Sequence, residues 1–556
     1  MIARFLLGAS ALALLVQPVA AQAAASKAEK VAAAAAVDAQ AKQIQVMVDQ
    51  VFSFAEPGFQ EVRTSAYLAD ILEKNGFTVT RGVAGIPTAF TATWGSGGPL
   101  IALGSDIDDL LGVSQTPGVP TIKPIITGAP GHGEGHNAGL PMMIAAAIAA
   151  KGVMEKNHIP GRLMIWPGVA EELLGTKAFY VRAGMFKDVD ACLFAHVNTG
   201  FGTGYGDLGL NGMVSVEYSF HGKTAHAAAM PWEGRSALDA AEIMDVAWNF
   251  RREHLPVSQR SHDVITNGGG QPNVVPDQAA VWYYFREHDF ASVRQLYQTG
   301  NEIAEAAAQA TGTTVTHQLL GYAAPNWGNK PLAEAAYANI KAVGMPKWTA
   351  DDQAFAHAVQ VANHFKLQPL AADVTPLSTP ETRKGLPGFG ASDDIGDIMW
   401  TVPTITFGFP SNVPNVIFHH ATAAMAMATP IAHKGAVVGA KAVAMTVLDL
   451  ITTPKILADA KAYQRNVQFK ADHYDPVLTP DDHPAIHRNE EVMARLRPAM
   501  EKYYYDPNRY PSYLVQLGIA YPGTAPAAYY VLSASNSAHT AAAGFRYAGV
   551  SVGRNR

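Results

Sequence analysis

The sequence predicts an α/β protein in which a doubly wound domain is interrupted by a smaller α+β sandwich domain. Short apolar strands alternate with helices between about residues 77 and 198, as in a largely parallel sheet covered on both faces. The pattern changes after Asn211 and returns near Asn329, which indicates an insertion. With 556 residues, of which 48% are hydrophobic and 16% charged, the chain is long enough to bury the cores of two or more domains.

The first 23 residues predict a secretory signal peptide. Arg4 precedes an apolar stretch over 5–16, Pro18 interrupts it, and small residues suit cleavage after Ala21 or Ala23. The stretch is shorter than the roughly 20 residues of a membrane-spanning helix, so an uncleaved anchor is the less favoured alternative. We therefore expect a periplasmic or secreted protein without a membrane span after processing.

Residues 24–210 are predicted to form the first part of the doubly wound domain. Apolar residues at helical spacing run from about residue 41 to Asn75-Gly76, a C-cap signal. Strands follow in TAFTATW, PLIALGSDID, GRLMIWPG and DACLFAHV, with helices at 139–156 and 172–184. Functional sites in such sheets gather at the carboxyl ends of the strands. The polar residues at these strand ends are Asp106, Asp108, Glu171, Glu172 and His196.

Residues 211–323 predict the inserted domain. Their order is strand, helix, strand, strand, helix and strand, which is typical of an open-faced α+β sandwich. Residues 324–455 return to the first pattern and close with the helix through IAHKGAVVGAKAVAMTVLDLIT. Residues 456–556 are a polar extension whose last thirty or so residues have weak periodicity, so we expect the extension to be partly loose.

The net charge limits the kinds of partner to be expected, and the cysteine content limits the ways in which the fold can be stabilised. The formal net charge is −6 and no Lys/Arg run is longer than a pair, so a nucleic-acid partner is not expected. The single cysteine, Cys192, cannot form an intramolecular disulfide. An exported chain of this kind would depend on its core, on metal or on oligomerisation.

Three short segments carry residues of the types that bind metals. HGEGH contains His132, Glu134 and His136 between glycines that let the backbone turn tightly, AEE contains the pair Glu171-Glu172, and AHV contains His196. Taken singly, each is weak, because a lone histidine is more often a satisfied core or surface residue and a Glu pair usually complements a helix dipole. The conjunction of carboxylate and imidazole suits Zn²⁺, Mn²⁺ or Co²⁺.

Two such ions would need one further carboxylate. Ions about 3.5–4 Å apart can polarise an acyl oxygen and hold a bridging water. A carboxylate that binds neither ion must then accept the proton of that water and pass it to the leaving nitrogen. The adjacent residues Glu171 and Glu172 could divide the roles of base and ligand.

The chain resembles the zinc-type peptidase and amidohydrolase family of aminoacylases, carboxypeptidase G and indoleacetyl-amino-acid hydrolases, most closely its branch of aminobenzoyl-glutamate hydrolases. The stretches that carry the resemblance include PGHGEGHN, PGVAEELLGTKAFYVRAGMF, SFHGKTAHAAAMPWEGRSALDA, ITNGGGQPNVVPDQAAVWYYFRE, SDDIGDIMWTVPT and IAHKGAVVGAKAVA. They occur in family order over about residues 40–450. The resemblance implies a di-metal hydrolase domain, an inserted lid domain that usually mediates dimerisation, and hence a homodimer.

The resemblance also implies a role for each matching residue. The metal ligands would be Glu134, His136, Glu172, His196 and one of the adjacent histidines His419 and His420, of which His419 is preferred for its distance from the IAHKG helix. Glu171 would be the general base, and His226 would reach the partner's site to stabilise the oxyanion. Asn273 and Arg286 are candidates for gripping a substrate carboxylate, although Arg286 could instead be an exposed strand-end cation. Outer support would come from His132, Asp106 and Asp108.

One residue departs from the family pattern. Where this branch normally has cysteine, as in HGCGH, the present chain has Glu134. A glutamate offers two hard oxygens on a longer stem, so it could bridge two ions and would shift the preference from zinc toward manganese or a mixed site. An exported protein would also lose an oxidisable thiolate.

The favoured hypothesis is an exported, metal-dependent amidohydrolase with two divalent ions, either Zn or Mn, with Co as a further option. Its substrate would be a small molecule, an N-acyl or N-aroyl amino acid such as aminobenzoyl-glutamate, or a small dipeptide. A non-catalytic dimeric metal-binding relative is one alternative, against which the retention of Glu171 argues. A deacetylase or carbamoylase of the same fold is another. The sequence does not choose the acyl group or the amino acid, because residues that line the pocket come from distant loops and from the lid.

Overall fold

The computed structural model of the protein describes residues 25–385, 388 and 390–523. The predicted signal peptide and the end of the C-terminal extension lie outside these residues. The elements of the first part, in chain order, are α1 (Lys27–Ala39), α2 (Ala41–Phe54), α3 (Val62–Lys74), β1 (Thr78–Arg81), β2 (Phe90–Ser96), β3 (Leu100–Asp106), α4 (Gly139–Lys156), β4 (Gly161–Gly168), α5 (Lys177–Arg182) and β5 (Ala191–Asn198).

Two predicted helices differ from those observed. The helical pattern over 41–76 is divided between α2 and α3, because Ala55 adopts a left-handed conformation and Glu56 turns into the interior. The carboxylate of Glu56 accepts hydrogen bonds from the first backbone amides of α3 and so satisfies that helix end. The helix predicted at 172–184 is shortened to a 3₁₀ turn at Glu171–Leu173 followed by α5, since Ala170 and Leu174 on either side of the turn are left-handed.

The inserted domain has the predicted order of elements. They are β7 (Gly212–His221), α6 (Ala237–Arg252), β8 (Arg260–Asn267), β9 (Gln278–Glu287), α7 (Phe290–Thr311) and β10 (Thr314–Ala323). The short strand β6 (Gly206–Asp207) precedes the inserted domain and belongs to a separate two-stranded sheet. The longer strands form an antiparallel sheet in the order β10-β7-β9-β8.

The two faces of this lid sheet differ because successive side chains of a strand point to opposite faces. On β9, Val281, Tyr283 and Phe285 are buried in the core that the sheet forms with α6 and α7. The alternate residues Trp282, Tyr284 and Arg286 share the other face. On β9, Trp282, Tyr284 and Arg286 therefore point toward the remainder of the chain.

The chain then completes the first domain and continues into the C-terminal extension. The elements are β11 (Trp327–Gly328), α8 (Lys330–Val343), α9 (Ala350–Ala362), α10 (Pro380–Arg383), α11 (Ile395–Met399), β12 (Thr404–Pro410), α12 (Ala421–Ala424), α13 (Pro430–Thr452), α14 (Pro454–Tyr463), α15 (Phe469–Ala471), α16 (Glu490–Met500) and α17 (Tyr513–Gln516).

The large sheet of the doubly wound domain has the strand order β1-β2-β4-β3-β5-β12. The strands β4, β3, β5 and β12 are parallel, and β1 and β2 form an antiparallel edge. The central strand β3 is buried along its whole length, as expected for a sheet covered on both faces. The predicted α/β fold with an inserted α+β domain is confirmed.

Among the described residues, α13 is the only helix long and apolar enough to qualify as a membrane span by length and composition. Of the most apolar 18-residue stretch of this helix, 83% is buried inside the protein. It packs against α1, α4 and α8. Its hydrophobicity is therefore that of a core helix, which a hydropathy pattern alone does not distinguish from a span.

Candidate metal centre

The site lies at the carboxyl ends of the parallel strands. Asp106 ends β3, Glu171 and Glu172 follow β4, and His196 stands near the end of β5. Because neighbouring parallel strands end at the same edge of a sheet, residues far apart in sequence meet there. The HGEGH loop and the loop after β12 bring Glu134, His136 and His419 to the same place.

Five of the predicted ligands form two groups that share one residue. The first consists of Glu134, His136 and His196, and the second consists of Glu134, Glu172 and His419; in each, the ligand atoms lie within 4.8 Å of one another. One carboxylate oxygen of Glu134 is 3.5 Å from Nε2 of His196, and the other is 2.8 Å from Nε2 of His419. Glu134 therefore stands between the groups with an oxygen directed to each.

The two adjacent histidines are separated by a change of backbone direction. His419 has a positive φ of 57°, and its amide donates a hydrogen bond to the carbonyl of Gly133 in the HGEGH loop. Its Nε2 also lies 3.4 Å from Oε2 of Glu172. His420 instead caps α12, accepting from the amide of Thr422. The geometry therefore brings His419, and not His420, to the shared carboxylate.

The donor atoms of these groups fit divalent cations. Three of the buried polar atoms there have no hydrogen-bond partner: Nε2 of His136, Oε1 of Glu172 and Oδ1 of Asp108. Burial raises the pKa of Glu172, and the charge of Glu134 raises it further. Unpaired buried acceptors are costly unless a cation or proton satisfies them. The combination of hard oxygens and imidazole nitrogens matches what Zn²⁺ and Mn²⁺ take as ligands.

Glu171 is buried beside the two groups without belonging to either. A carboxylate oxygen of Glu171 lies within 4.8 Å of potential ligand atoms of Asp106 and His136. The same limit holds for carboxylate oxygens of Asp393 and Asp394. Burial raises the pKa of Glu171 well above the usual range, and the surrounding carboxylates add to that rise. Glu171 also lines the cleft. Glu171 thus also belongs to two further groups of residues that could hold a metal ion, and its role as a base stays a prediction.

Asp106 and Asp108 support the site in different ways. Asp108 offers its carbonyl to Nδ1 of His136 at 3.2 Å, and its carboxylate accepts from the amide of Glu172 at 3.0 Å. Asp106 accepts from Nζ of Lys177 at 2.5 Å, and Lys177 also donates to Asp394. Asp108 thus contacts two of the predicted ligands, whereas Asp106 contacts Lys177.

A cleft of about 780 Å³ opens in front of the predicted ligands. One wall is lined by residues of the doubly wound domain, namely Glu134, Glu171, Glu172, His196 and His419, and the lid contributes His262, Tyr284 and Arg286. The guanidinium of Arg286 lies 5.4 Å from the centre of the Tyr284 ring, and its buried Nε has no hydrogen-bond partner. Arg286 therefore faces the cleft and is not an exposed strand-end cation.

Three predicted residues lie elsewhere in the single chain. His132 is buried against Phe52 and donates to the carbonyl of Val51, and burial lowers its pKa to about 3. His226 is exposed, and its Nδ1 accepts from backbone amides of the following turn. Asn273 is exposed on the neighbouring loop, where its carbonyl accepts from the amide of Ala227. None of the three lines the cleft in front of the ligands.

Sequence reasoning missed several residues of the site. No role was predicted for Lys177, His262, Tyr284, Asp393 or Asp394. Asp393 and Asp394 could have been found from the sequence, because SDDIGDIMW contains these adjacent aspartates and they are of the same acidic type as the residues at the strand ends. For the lid residues, the alternation of Trp282, Tyr284 and Arg286 on one face of a strand was the available signal.

The chain is similar in sequence to known peptidases and amidohydrolases. A sequence model described as the peptidase dimerisation domain matches residues 208–311. One of the subunits of p-aminobenzoyl-glutamate hydrolase from Escherichia coli (strain K12) is 32% identical over 468 residues, covering 80% of this chain and 96% of that protein. The Xaa-Arg dipeptidase of Mus musculus is 27% identical over 433 residues, covering 76% of this chain and 89% of that protein.

A solved structure extends the comparison to the fold. It is the structure of a protein assigned as an aminohydrolase from methicillin-resistant Staphylococcus aureus. It aligns with a TM-score of 0.51 at 16% identity, over 76% of this chain and 100% of that one. The likeness is one of fold.

Proposed function

Because the chain belongs to the M20 family of peptidases and amidohydrolases, we propose that it hydrolyses the amide bond of N-acyl or N-aroyl amino acids, or of small dipeptides, with two divalent metal ions. The family predicted from the sequence is confirmed by the identity to the Escherichia coli protein over nearly all of its length. That relative is named for aminobenzoyl-glutamate, and the mouse relative for Xaa-Arg dipeptides. Both names describe small amides with an amino acid on one side of the bond.

The observation that carries the proposal is the pair of ligand groups joined at Glu134. Each group offers three donors, and the shared carboxylate has an oxygen for each. Bound there, divalent ions such as Zn²⁺, Mn²⁺ or Co²⁺ would supply Lewis acidity toward the amide carbonyl and the attacking water.

The residues of the chain would complete the reaction. Glu171 accepts a proton from the attacking water and delivers it to the leaving nitrogen, which requires one carboxylate that is not a ligand. Arg286 binds the free carboxylate of the substrate across the cleft. In a homodimer, His226 on the lid of one protomer would reach the cleft of the other and stabilise the oxyanion. Asn273 would help to grip the substrate carboxylate.

The homodimer and export belong to the same proposal. The match of residues 208–311 to a peptidase dimerisation domain supports self-association through the lid. Apolar side chains on the lid surface support it as well, since Trp232 is 67% and Phe250 72% exposed. Export to the periplasm or medium rests on the signal-like pattern of the first 23 residues.

A substrate screen tests the proposal. The chain from about Ala24 is purified, stripped of metal and supplied with Zn²⁺, Mn²⁺ or Co²⁺. It is then offered N-acyl amino acids, aminobenzoyl-glutamate, dipeptides, acetylated amines and carbamoyl amino acids. We expect turnover of acyl-amino acids only with added metal. Turnover confined to acetylated amines or carbamoyl amino acids would instead identify a deacetylase or carbamoylase, and metal binding without any turnover would identify a binding protein.

Replacing Glu134 with cysteine is expected to shift the metal preference toward zinc. A thiolate is the softer ligand and replaces two hard oxygens by one sulfur atom. The measurement is metal content after equilibration with equal Zn²⁺ and Mn²⁺, read by mass spectrometry alongside wild type. Glu134→Gln is the control, because it keeps the length of the side chain without providing a thiolate. The same Zn:Mn ratio in wild type and Glu134→Cys would mean that Glu134 does not contact the metals.

Blocking the free carboxylate of a good substrate as an ester or amide is expected to lower kcat/KM. The expected loss is about 1.5–3 kcal/mol, the worth of a hydrogen bond to a charged group. Arg286→Ala should remove most of the difference between free and blocked substrates, whereas Arg260→Ala, on the exposed neighbouring strand, should preserve it. Equal turnover of free and blocked substrates by wild type would exclude the proposed role of Arg286.

A further inference from the structure

The C-terminal extension contacts both the lid and the doubly wound domain, which carries the two ligand groups and is called the catalytic domain below. Near its start, Tyr474 donates to Asp397 of the catalytic domain with an O–O distance of 2.7 Å, and Asp475 pairs with Arg294 of the lid helix α7 at 2.7 Å. Further on, Arg497 pairs with the buried Glu56 of the catalytic domain. The segment between these anchors therefore runs along the junction of the two domains.

Arg488 is the residue of this segment that joins the domains most directly. Its carbonyl accepts from Nε2 of Gln60 at 3.1 Å, and the side chain of the next residue, Asn489, donates to the carbonyl of Gly58 at 3.0 Å. These bonds fix its backbone to the catalytic domain. Its guanidinium instead reaches the lid, where it pairs with Glu217 and lies 5.0 Å from the centre of the Trp282 ring.

The pairing of Arg488 with the lid is largely shielded from water. The side chain of Arg488 is 18% exposed and that of Glu217 is 17% exposed. Glu217 also accepts from Thr266 at 2.6 Å, and the indole nitrogen of Trp282 donates to Ser215 at 2.9 Å, so both partners are held on the sheet. A planar guanidinium can pair with a carboxylate and stack on an indole at the same time, which a lysine cannot reproduce.

The lid face that receives Arg488 continues into the cleft. Trp282, Tyr284 and Arg286 alternate along β9 on that face, and the rings of Trp282 and Tyr284 are 5.5 Å apart. The hydroxyl of Tyr284 donates to the carbonyl of Glu172 at 3.1 Å, and Arg286 follows at the cleft. The strand β9 therefore connects Trp282, which Arg488 contacts, with Tyr284 and Arg286, which line the cleft.

We propose that Arg488 is a positioning residue that braces the lid against the catalytic domain, so that Tyr284 and Arg286 are held at the distance from the ligands that the substrate requires. The brace does not touch the substrate and is supplied by the C-terminal extension. Its consequence for substrate binding rests on the proposed function, but its consequence for the arrangement of the domains does not. Two readouts can therefore test the two parts separately.

The domain arrangement is measured with a pair of spectroscopic labels. Val31 on α1 of the catalytic domain is 60% exposed and Val257 of the lid is 92% exposed, so both can be changed to cysteine in a Cys192→Ser background. In the labelled protein that keeps Arg488, we expect one narrow distribution of the distance between the labels. Arg488→Ala should give a broader or displaced distribution, and Arg488→Lys should not restore the narrow one. The charge swap Arg488→Glu with Glu217→Arg should partly recover the narrow distribution. Arg495→Ala, an exposed arginine of the same extension, is the matched control and should not change it.

Kinetics form the second readout. For an acyl-amino acid with a free carboxylate, Arg488→Ala should lower kcat/KM by about 10- to 100-fold, mainly through KM, because a displacement of about 1 Å is enough for such a loss. The loss should be much smaller for the esterified substrate, and metal content should be unchanged. A purely structural role of Arg488 would lower kcat/KM by a similar factor for the free and the esterified substrate.

The outcomes separate the two proposals. An unchanged distance distribution in folded Arg488→Ala would overturn the brace, whatever the kinetics. A changed distribution in a protein without turnover of any acyl-amino acid would support the brace and reject the proposed function. If Arg488→Ala does not accumulate as folded protein, Trp282→Leu removes the stacking surface while keeping Arg488. The same broadening is then expected, and its absence would overturn the brace.

Discussion

Replacing Glu171 with glutamine is expected to lower turnover of an acyl-amino acid by at least about 10²–10⁴-fold, the usual contribution of a general base. The amide has nearly the shape of the carboxylate, so the fold should persist. It cannot accept the proton of the attacking water, and it also removes a negative charge that would polarise that water. Glu171 does not belong to the two groups joined at Glu134, so metal content should stay close to that of wild type.

The adjacent residue provides the matched control. Glu172 belongs to one of the ligand groups, so Glu172→Gln should lower the metal content as well as the rate. Both quantities are measured on the same preparations, by mass spectrometry of bound metal and by steady-state kinetics. Equal metal content in the two variants would show that the neighbouring glutamates do not divide the roles of base and ligand.

Replacing Lys177 with methionine is expected to destabilise the protein by about 3–5 kcal/mol, the cost of removing one partner of a buried ion pair. Lys177 is fully buried and donates to Asp106 and Asp394, whose side chains are also inaccessible to solvent. Burial alone would lower the pKa of this lysine, but the charges of Asp106 and Asp394 outweigh burial and raise it. Methionine keeps most of the volume, so the loss isolates the charge.

The free energy of unfolding is measured in denaturant for Lys177→Met and for a surface control. Lys455→Met is suitable, because the Lys455 side chain is 79% exposed and its pair with Asp459 lies on the helix surface. The control should change stability by no more than about 1 kcal/mol. A similar small change for Lys177→Met would contradict the view that this lysine neutralises the acidic ends of the strands.

Much of the fold could be predicted because the local pattern and the final structure agree. The helix at 139–156 was predicted at its observed bounds, since the spacing of apolar residues is fixed by the helix that buries them. The strands that carry the site were recognised as apolar runs ending in acidic residues or histidine. Resemblance to the family supplied the candidate roles, and without it the segments HGEGH, AEE and AHV would have remained separate weak signals.

Several features depended on contacts that no local pattern contains. Ala55 and Leu174 interrupt otherwise helical patterns because a glutamate must enter the interior or face the cleft beside them. The choice between His419 and His420 depended on a left-handed residue and on the carbonyl of Gly133, nearly three hundred positions earlier.

The sequence by itself determined the periodicity, and so the kinds of element and their order, together with the chemical types available at the strand ends. Only the tertiary structure decided which of those groups meet: that Glu134 stands between two ligand groups, that Lys177 neutralises Asp106 and Asp394, and that Arg488 of the extension reaches the lid. The physical reason is that hydrophobic burial is set by the local repeat of apolar residues. Pairing of buried polar groups, in contrast, depends on atoms brought within a few ångströms by packing of the whole chain.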